Sequence, residues 1–368
     1  MRASVFAVED HAAQVCWDGL PIGEVTWCAA DVERTVVTDG GPGAVTLSGL
    51  PEATRLELTW AGATGRRRVG HFSTLPSPPG RLLCRFATVN DIHLGATSFG
   101  TLRPFWGDGR GEPHALVCAR AAASAAREWG AQLLVGKGDL TQDGTPQQWD
   151  TVGQFFADCG LPTFVVEGNH DICVRAVDGR AILAEHGLAL HQQPAFVDLA
   201  GVRVIGLPTT RWHVEYGTIA PEHLQAAAQM VADAPGAAVV AMHHYPQRFR
   251  WPTLYPSGIP GPVASVLLDT LAEANSATLV LSGHSHRHRS HRHGPLVVAE
   301  VGSTKDYPGS WAGYAVHEGG IRQVTMRVAE PAAIAWTERG RRVLGGLWGM
   351  WAPGLRSHRC FTWAWPAR

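Results

Sequence analysis

The chain has 368 residues, 45% of them hydrophobic and 17% charged, and a formal net charge of −1. That length exceeds one ordinary core and predicts two domains with an appendage. The composition is that of a globular protein, and the balanced charge gives no reason to expect nucleic acid or an acidic membrane as a general partner. Seven cysteines, at 16, 28, 84, 118, 159, 173 and 360, are scattered without a C-x-x-C pair. They argue against a disulfide framework or a zinc ribbon and for a reducing compartment. Residues 1–19 carry Glu9, Asp10 and Asp18 and no apolar leader segment, so a cytoplasmic protein without a signal peptide is expected. No apolar run reaches the ~18 residues of a membrane span. Histidine, with 18 copies, is the outlier and hints at metal or acid–base work.

In residues 1–79, short β-like runs at 25–27, 34–37, 44–47, 55–60 and 67–72 are broken by Gly, Pro and Asp. No helical period appears, which predicts a small all-β sandwich. Leu47-Ser48-Gly49-Leu50-Pro51, the run 56–60 and Phe72-Ser73-Thr74-Leu75-Pro76 together resemble a fibronectin type III domain. Pro76-Ser77-Pro78-Pro79-Gly80 reads as a stiff linker.

From residue 81 apolar strands alternate with helical segments, the pattern of an α/β domain. Strands are predicted at 82–89, 132–136, 163–166, 202–207, 237–242, 277–281, 296–301, 313–316 and 321–328. Helices are predicted at 113–129, 145–159, 178–186, 221–233 and 262–274, with Thr145-Pro146 and Pro221-Glu222 as starts. Residues 331–368 stand apart and hold five of the 14 tryptophans, at 336, 348, 351, 363 and 365. Large rings of this kind pack over another surface of the chain or a subunit contact. The other reading is an interfacial membrane anchor built on the uncharged run 343–355.

Five predicted strands end in groups able to hold metal. They run into Asp91-Ile92-His93, Gly138-Asp139, Gly168-Asn169-His170-Asp171, His243-His244 and Gly283-His284-Ser285-His286. Any one of these is ordinary turn chemistry. All five at strand C-termini would gather at one edge of a parallel-type sheet. Two Asp, one Asn and four His make seven ligands, and one Asp must bridge if two ions are each to receive four. The mixed N/O set suits Fe, Mn, Zn or Co, not Ca.

The order D-x-H, G-D, G-N-H-D, H, G-H-x-H resembles the calcineurin-like metallophosphoesterase superfamily over residues 84–328. The resemblance implies a four-layer α-β-β-α catalytic domain at 80–330, between the sandwich at 1–79 and the extension at 331–368. It implies that Asp91, His93, Asp139 and His286 hold one metal and that Asp139, Asn169, His243 and His284 hold a second. His170 becomes the histidine that faces substrate, His244 and Asp171 become supporting groups, and the cofactors become two divalent or trivalent ions, Mn, Fe or Zn. Gly138-Asp139-Leu140-Thr141 is similar to the bacterial class III cyclic-nucleotide phosphodiesterase-like branch. Gln142 and Asp143 replace the Asp and Arg of the protein serine/threonine phosphatases, and Gln142 replaces the Tyr of purple acid phosphatases, although a leading β-sandwich is shared with the latter.

The expected activity is phosphodiester hydrolysis, cyclic nucleotides included, by in-line attack of a hydroxide bridging ions about 3.5 Å apart, with His170 as acid toward the leaving oxygen. Alternatives are a phosphomonoesterase or nucleotide pyrophosphohydrolase on the same site, or a non-catalytic scaffold. The expected partner is a small phosphoester, with no nucleic acid and no transmembrane segment. Loops 95–113, 209–218 and 245–260 offer aromatics and arginines for substrate, namely Phe99, Phe105, Trp106, Arg211, Trp212, His213, Tyr216, Arg248, Arg250, Trp251 and Tyr255, or else pack on one another to close the rim. The run 287–293 is expected to be a solvated hairpin.

Overall fold

The computed structural model describes residues 1–63, 65–100, 104–107, 111–249 and 256–366. Arg250, Trp251 and Tyr255, named above for substrate, lie outside the described residues. Seven strands open the chain: β1 (Arg2–Val8), β2 (Ala12–Asp18), β3 (Gly23–Ala29), β4 (Val32–Thr38), β5 (Gly43–Ser48), β6 (Arg55–Gly62) and β7 (Gly65–Ser73). They form two antiparallel sheets, ordered β1-β2-β5 and β4-β3-β6-β7. Period-two alternation turns Leu56, Leu58 and Trp60 of β6 inward and leaves Arg55 and Glu57 in solvent. Strand β2 escapes that pattern because it is buried on both faces from Ala13 to Trp17. Its Gln14 side chain accepts from the Arg327 backbone N–H at 2.8 Å and donates to the Arg327 carbonyl at 2.9 Å.

The following region carries β8 (Leu82–Val89), β9 (Ser98–Phe99), β10 (Phe105–Trp106), α1 (His114–Glu128), β11 (Leu134–Lys137), α2 (Pro146–Asp158), β12 (Thr163–Val166) and α3 (Gly179–Glu185). It continues through β13 (Ala195–Leu199), β14 (Val202–Gly206), α4 (Pro221–Ala232), β15 (Ala237–Ala241), α5 (Gly261–Ala274), β16 (Thr278–Ser282), β17 (Arg289–His293), β18 (Leu296–Glu300), β19 (Ser310–His317) and β20 (Gly320–Arg327). The chain closes with α6 (Pro331–Gly340), α7 (Leu347–Trp351), α8 (Arg356–Arg359) and β21 (Cys360–Ala364).

Two six-stranded sheets result, β12-β11-β8-β19-β20-β21 and β13-β14-β15-β16-β18-β17. Phe86, Val135 and Val166 of the first share one apolar cluster with Val204, Val239 and Leu281 of the second. The alternate residues Ala87, Val89 and Leu134 cluster with Ala119 and Ala122 of α1 and Phe155 and Phe156 of α2. On the second sheet Val240 and Val280 cluster with Val231 of α4 and Leu267 and Leu271 of α5. Strands with both faces covered read as continuous apolar runs, which is why they were legible. Strands β8, β11 and β12 are mutually parallel, as are β14, β15, β16 and β18, so their C-terminal ends share an edge.

Several expectations need correction. The polar strand β17 pairs antiparallel with β18 as a hairpin, but the segment leading into it is not solvated. Arg287 and His288 are each only 1% exposed. The reason is the C-terminal segment lying over them: the Arg287 guanidinium sits 4.1 Å from the Trp351 ring centroid, and the His288 N–H donates to the Ala352 carbonyl. Strand β13, with alternating partial burial, was not flagged, and β21 adds a sixth strand beside β20. Trp336 and Trp363 are buried, as packing rings should be, whereas Trp351 is 47% exposed. All seven cysteines are free thiols. Among the described residues no helix is long and apolar enough to cross a membrane.

Candidate metal centre

Each of the five motifs sits just past a strand. Asp91 and His93 follow β8, Asp139 follows β11, Asn169 and His170 follow β12, His243 follows β15, and His284 and His286 follow β16. Loops are zipped together by backbone: the Asp91 N–H donates to Gly138 O and the His93 N–H to Asp139 O. Their side chains converge. Nε2 of His286 lies 3.4 Å from Asp91 and 3.3 Å from Nε2 of His93. Asp139 Oδ2 lies 3.7 Å from His93 Nε2 and 3.3 Å from His243 Nε2. That same His243 nitrogen is 3.2 Å from Asn169 Oδ1 and 3.1 Å from His284 Nδ1. Asp91, His93 and His286 form one group of donor atoms within 4.8 Å of one another, and Asp91, Asp139 and His243 form another.

The backbone is bent to achieve this. Asp91, His93, Asp139, His284 and His286 all have φ between 49° and 77°. Such values are costly for non-glycine residues and persist where the surroundings over-determine them. Two glycines make room. A Cβ on Gly168 would lie 2.2 Å from the Asp139 nitrogen, and one on Gly138, at φ +81°, 2.6 Å from His243 Nδ1.

Backbone carbonyls fix which ring nitrogen is free. His243 Nδ1 donates to Lys137 O at 3.0 Å, leaving Nε2 as the inward lone pair. His284 Nε2 donates to Ser257 O at 3.2 Å, leaving Nδ1. His286 Nδ1 faces the Asp306 carboxylate at 2.7 Å. His170 Nδ1 donates to Gln142 O at 2.7 Å, while its backbone N–H donates to Asp139 at 2.9 Å. His244 is different: Nδ1 bonds the Thr209 hydroxyl and Nε2 donates to Glu215 O, so neither nitrogen is spare. Asp171 accepts from the Leu140, Thr141 and Gly168 N–H groups and the Thr141 hydroxyl, and so ties the second motif to the third.

Electrostatics follow from packing acids among imidazoles. Burial opposes charge on His243 and His286. The Asp139 carboxylate nevertheless lifts His243 to about 9, and Asp91 with Asp306 lifts His286 to about 10. Burial and neighbouring histidine charge push His284 down to about 3. Burial would raise Asp91 and Asp139, but the histidine charges hold both below the usual carboxylate range. Burial, with the Asp139 charge, lifts Asp171 to about 6.

Lone pairs of His93, His286, His243 and His284 thus point toward carboxylate oxygens and one another across 3.1–3.7 Å. Unprotonated imidazoles repel in that arrangement, whereas positive charge among them, as protons on His243 and His286 or as a metal ion in their place, satisfies them, and the N/O donor set fits a transition-metal ion.

Sequence reading missed Asp306, Lys305 and Asn90. Asp306 is bound by Lys305 Nζ at 2.7 Å as well as by His286, and Asn90 Nδ2 donates to Asp91 and to Val301 O. A polar run after a seventh parallel strand, Ser303-Thr304-Lys305-Asp306 beyond β18, was the available signal. Of the loop residues, Phe99 and Phe105 pack on each other and on Trp348 and Trp336, so they join the extension to the site's rim. Trp212 stacks under Arg175 and remains 39% exposed.

The family model described as calcineurin-like phosphoesterase matches residues 84–288, which span all five motifs. The chain belongs to that family. It is therefore a metal-dependent phosphoester hydrolase. A protein of a Synechococcus species named as a probable cyclic nucleotide phosphodiesterase is 24% identical over 206 residues, covering 55% of this chain and 72% of the relative. Among solved structures, PhoD is similar with a TM-score of 0.47 and 11% identity over 89% of this chain and 87% of that one. A purple acid phosphatase from yellow lupin, Lupinus luteus, has a TM-score of 0.46 and 11% identity over 89% and 72%.

Proposed function

We propose that this phosphoesterase hydrolyses phosphodiester bonds, those of cyclic nucleotides among them, at a dinuclear centre. The observation that carries the reading is the position of Asp139, whose one carboxylate oxygen lies between His93 and His243. We assign Asp91, His93, Asp139 and His286 to one ion and Asp139, Asn169, His243 and His284 to the other, each Mn, Fe or Zn. When bound, the ions supply an acidified water and offset charge developing on the phosphoryl oxygens.

The chain supplies positioning and the proton. His170, clamped by Gln142 O and turned edge-on to His93 at 4.6 Å between ring centroids, would act as the imidazolium, its Nε2–H giving the leaving oxygen its proton while Nδ1–H stays on Gln142 O. Asp171 and His244 hold the loops from behind. The diester preference is supported by the named Synechococcus relative and by the G-D-L-T motif.

We assign residues 1–79 to a fibronectin type III-like domain, 80–330 to a four-layer catalytic domain and 331–368 to an extension. The two small sheets formed by β1–β7 alone, apart from the two six-stranded sheets that follow, support the first of these boundaries.

The test is metal analysis with turnover of bis-nitrophenyl phosphate, cyclic nucleotides, monoesters and pyrophosphates. About two equivalents of metal, diester turnover, and loss of both in Asp139→Asn are expected. One equivalent of metal, or full metal with turnover of monoesters alone, would refute the assignment.

A further inference from the structure

The small net charge conceals a division along the chain. Residues 339–368 contain six arginines and no acidic residue, whereas the rest holds 25 basic and 32 acidic residues. Within this cationic stretch the run 343–355 carries no charge at all. Trp348 and Ala352 of this run pack inward, but other apolar side chains stay exposed: Leu347 is 62% exposed, Met350 80%, Trp351 47% and Leu355 64%. The spacing of 347, 350 and 351 within α7 places those three on one side of a helical turn. Isolated exposed apolar residues are unremarkable, but a group of them framed by arginines is not.

The frame is visible in the fold. Arg339 and Arg342 are exposed before the run, and Arg356 is half-buried after it. The adjoining acid, Glu338, is already held by Arg327 and Arg341, so it does not cancel the other arginines. Beside the run lies a cavity of about 980 Å³ lined by Leu344, Leu347 and Phe105 and by Arg339, Arg341 and Arg342, with the carboxylates of Asp18 and Glu338, each already paired to arginine, also in its wall.

We propose that this face docks on an anionic lipid bilayer. Leu347, Met350 and Leu355 would enter the acyl boundary while the arginines contact headgroup phosphates. The chemistry favours this occupant over a second copy of the chain. A stable protein interface buries about 800 Å² per partner, more than a handful of partly exposed side chains provide. A bilayer demands only a shallow apolar insertion with cations around it. The face also adjoins the metal centre: Trp348 packs on Phe99 at 5.8 Å, and Trp351 covers Arg287, the neighbour of His286.

The test is co-sedimentation of the metal-loaded full chain with phosphatidylcholine vesicles, with and without phosphatidylglycerol. Binding is expected only to the anionic vesicles and should weaken with added salt. The double substitution Leu347→Asp with Met350→Asp should reduce partitioning at least about tenfold, and Arg342→Ala with Arg356→Ala several-fold. Melting temperature and metal content serve as fold checks, and both should stay at wild-type values. Because lipid binding is read without turnover, its failure is separable from failure of the diesterase reading. Absence of binding to anionic vesicles overturns the proposal, as does unchanged binding in Leu347→Asp with Met350→Asp. A micromolar dimer that the same double substitution dissociates would assign the face to self-association instead.

Discussion

At the scale of single residues, His170 is the group whose role separates most cleanly from metal binding. It touches the centre through its backbone N–H to Asp139 while its ring is held by Gln142 O. In His170→Ala, metal content should remain near wild type, and turnover of an alkyl diester should fall by about 10²–10⁴, far more than turnover of a nitrophenyl ester. Equal losses on both would remove the proton-donor role. His243 and His286, raised to about 9 and about 10 by their carboxylate partners, carry protons at neutral pH when metal is absent. Metal must displace those protons, so loading should release them into a weakly buffered indicator and tighten as pH rises. The stability sign follows from the same shifts. The folded values lie above the ordinary 6.5, so these ion pairs stabilise the metal-free chain fully below about pH 6.5 and are lost through pH 9–10. The melting temperature of metal-free protein should decline across that window. Asp306 acts through His286: Asp306→Asn should weaken metal affinity by about 10–100-fold in a competition assay.

At the scale of elements, the strand ends matter more than the strands. Parallel pairing of β8, β11 and β12, and of β14, β15 and β16, brings their loops to one edge whatever the loops contain. What the loops contain then decides the site. Gly168 and Gly138 are there because a Cβ would strike Asp139 and His243. Gly168→Ala meets a backbone nitrogen that cannot swing aside, so it should cost about 1–3 kcal/mol of stability and lower metal content. Denaturant melts with metal analysis of the purified variant check both. The helices contribute by covering the outer sheet faces, and their starts were readable: Thr145 accepts from the Gln148 N–H, with Pro146 as the first helical residue.

At the scale of the whole molecule, the N-terminal all-β region is fastened to the sheet whose strands lead into the first three motifs. The buried Gln14 amide completes two hydrogen bonds with the Arg327 backbone, Arg322 pairs with Asp10 at 2.7 Å, and Arg359 donates to Phe6 O. Gln14→Ala leaves both Arg327 backbone groups unsatisfied and should cost about 1–3 kcal/mol, read as a lower denaturation midpoint with unchanged metal content. The motif histidines and aspartates were legible because each lies within five residues of its own strand end, and local apolar runs mark those ends. Strand β2 was not legible, because burial on both faces removes alternation while its buried Gln14 breaks the apolar run that marks the other covered strands, and neither was the burial of Arg287, because its cover comes from Trp351, far along the chain. By itself the sequence determined the alternation of strands and helices after residue 81, the donor groups at the strand ends and the chemistry they favour, since these depend on local pattern and donor atoms. Only the tertiary structure decided that Asp139 lies between His93 and His243, that Asp306 backs His286, and that the tail exposes Leu347 and Met350 beside its arginines. Those relations join residues remote in sequence, and their distances arise from sheet pairing and packing.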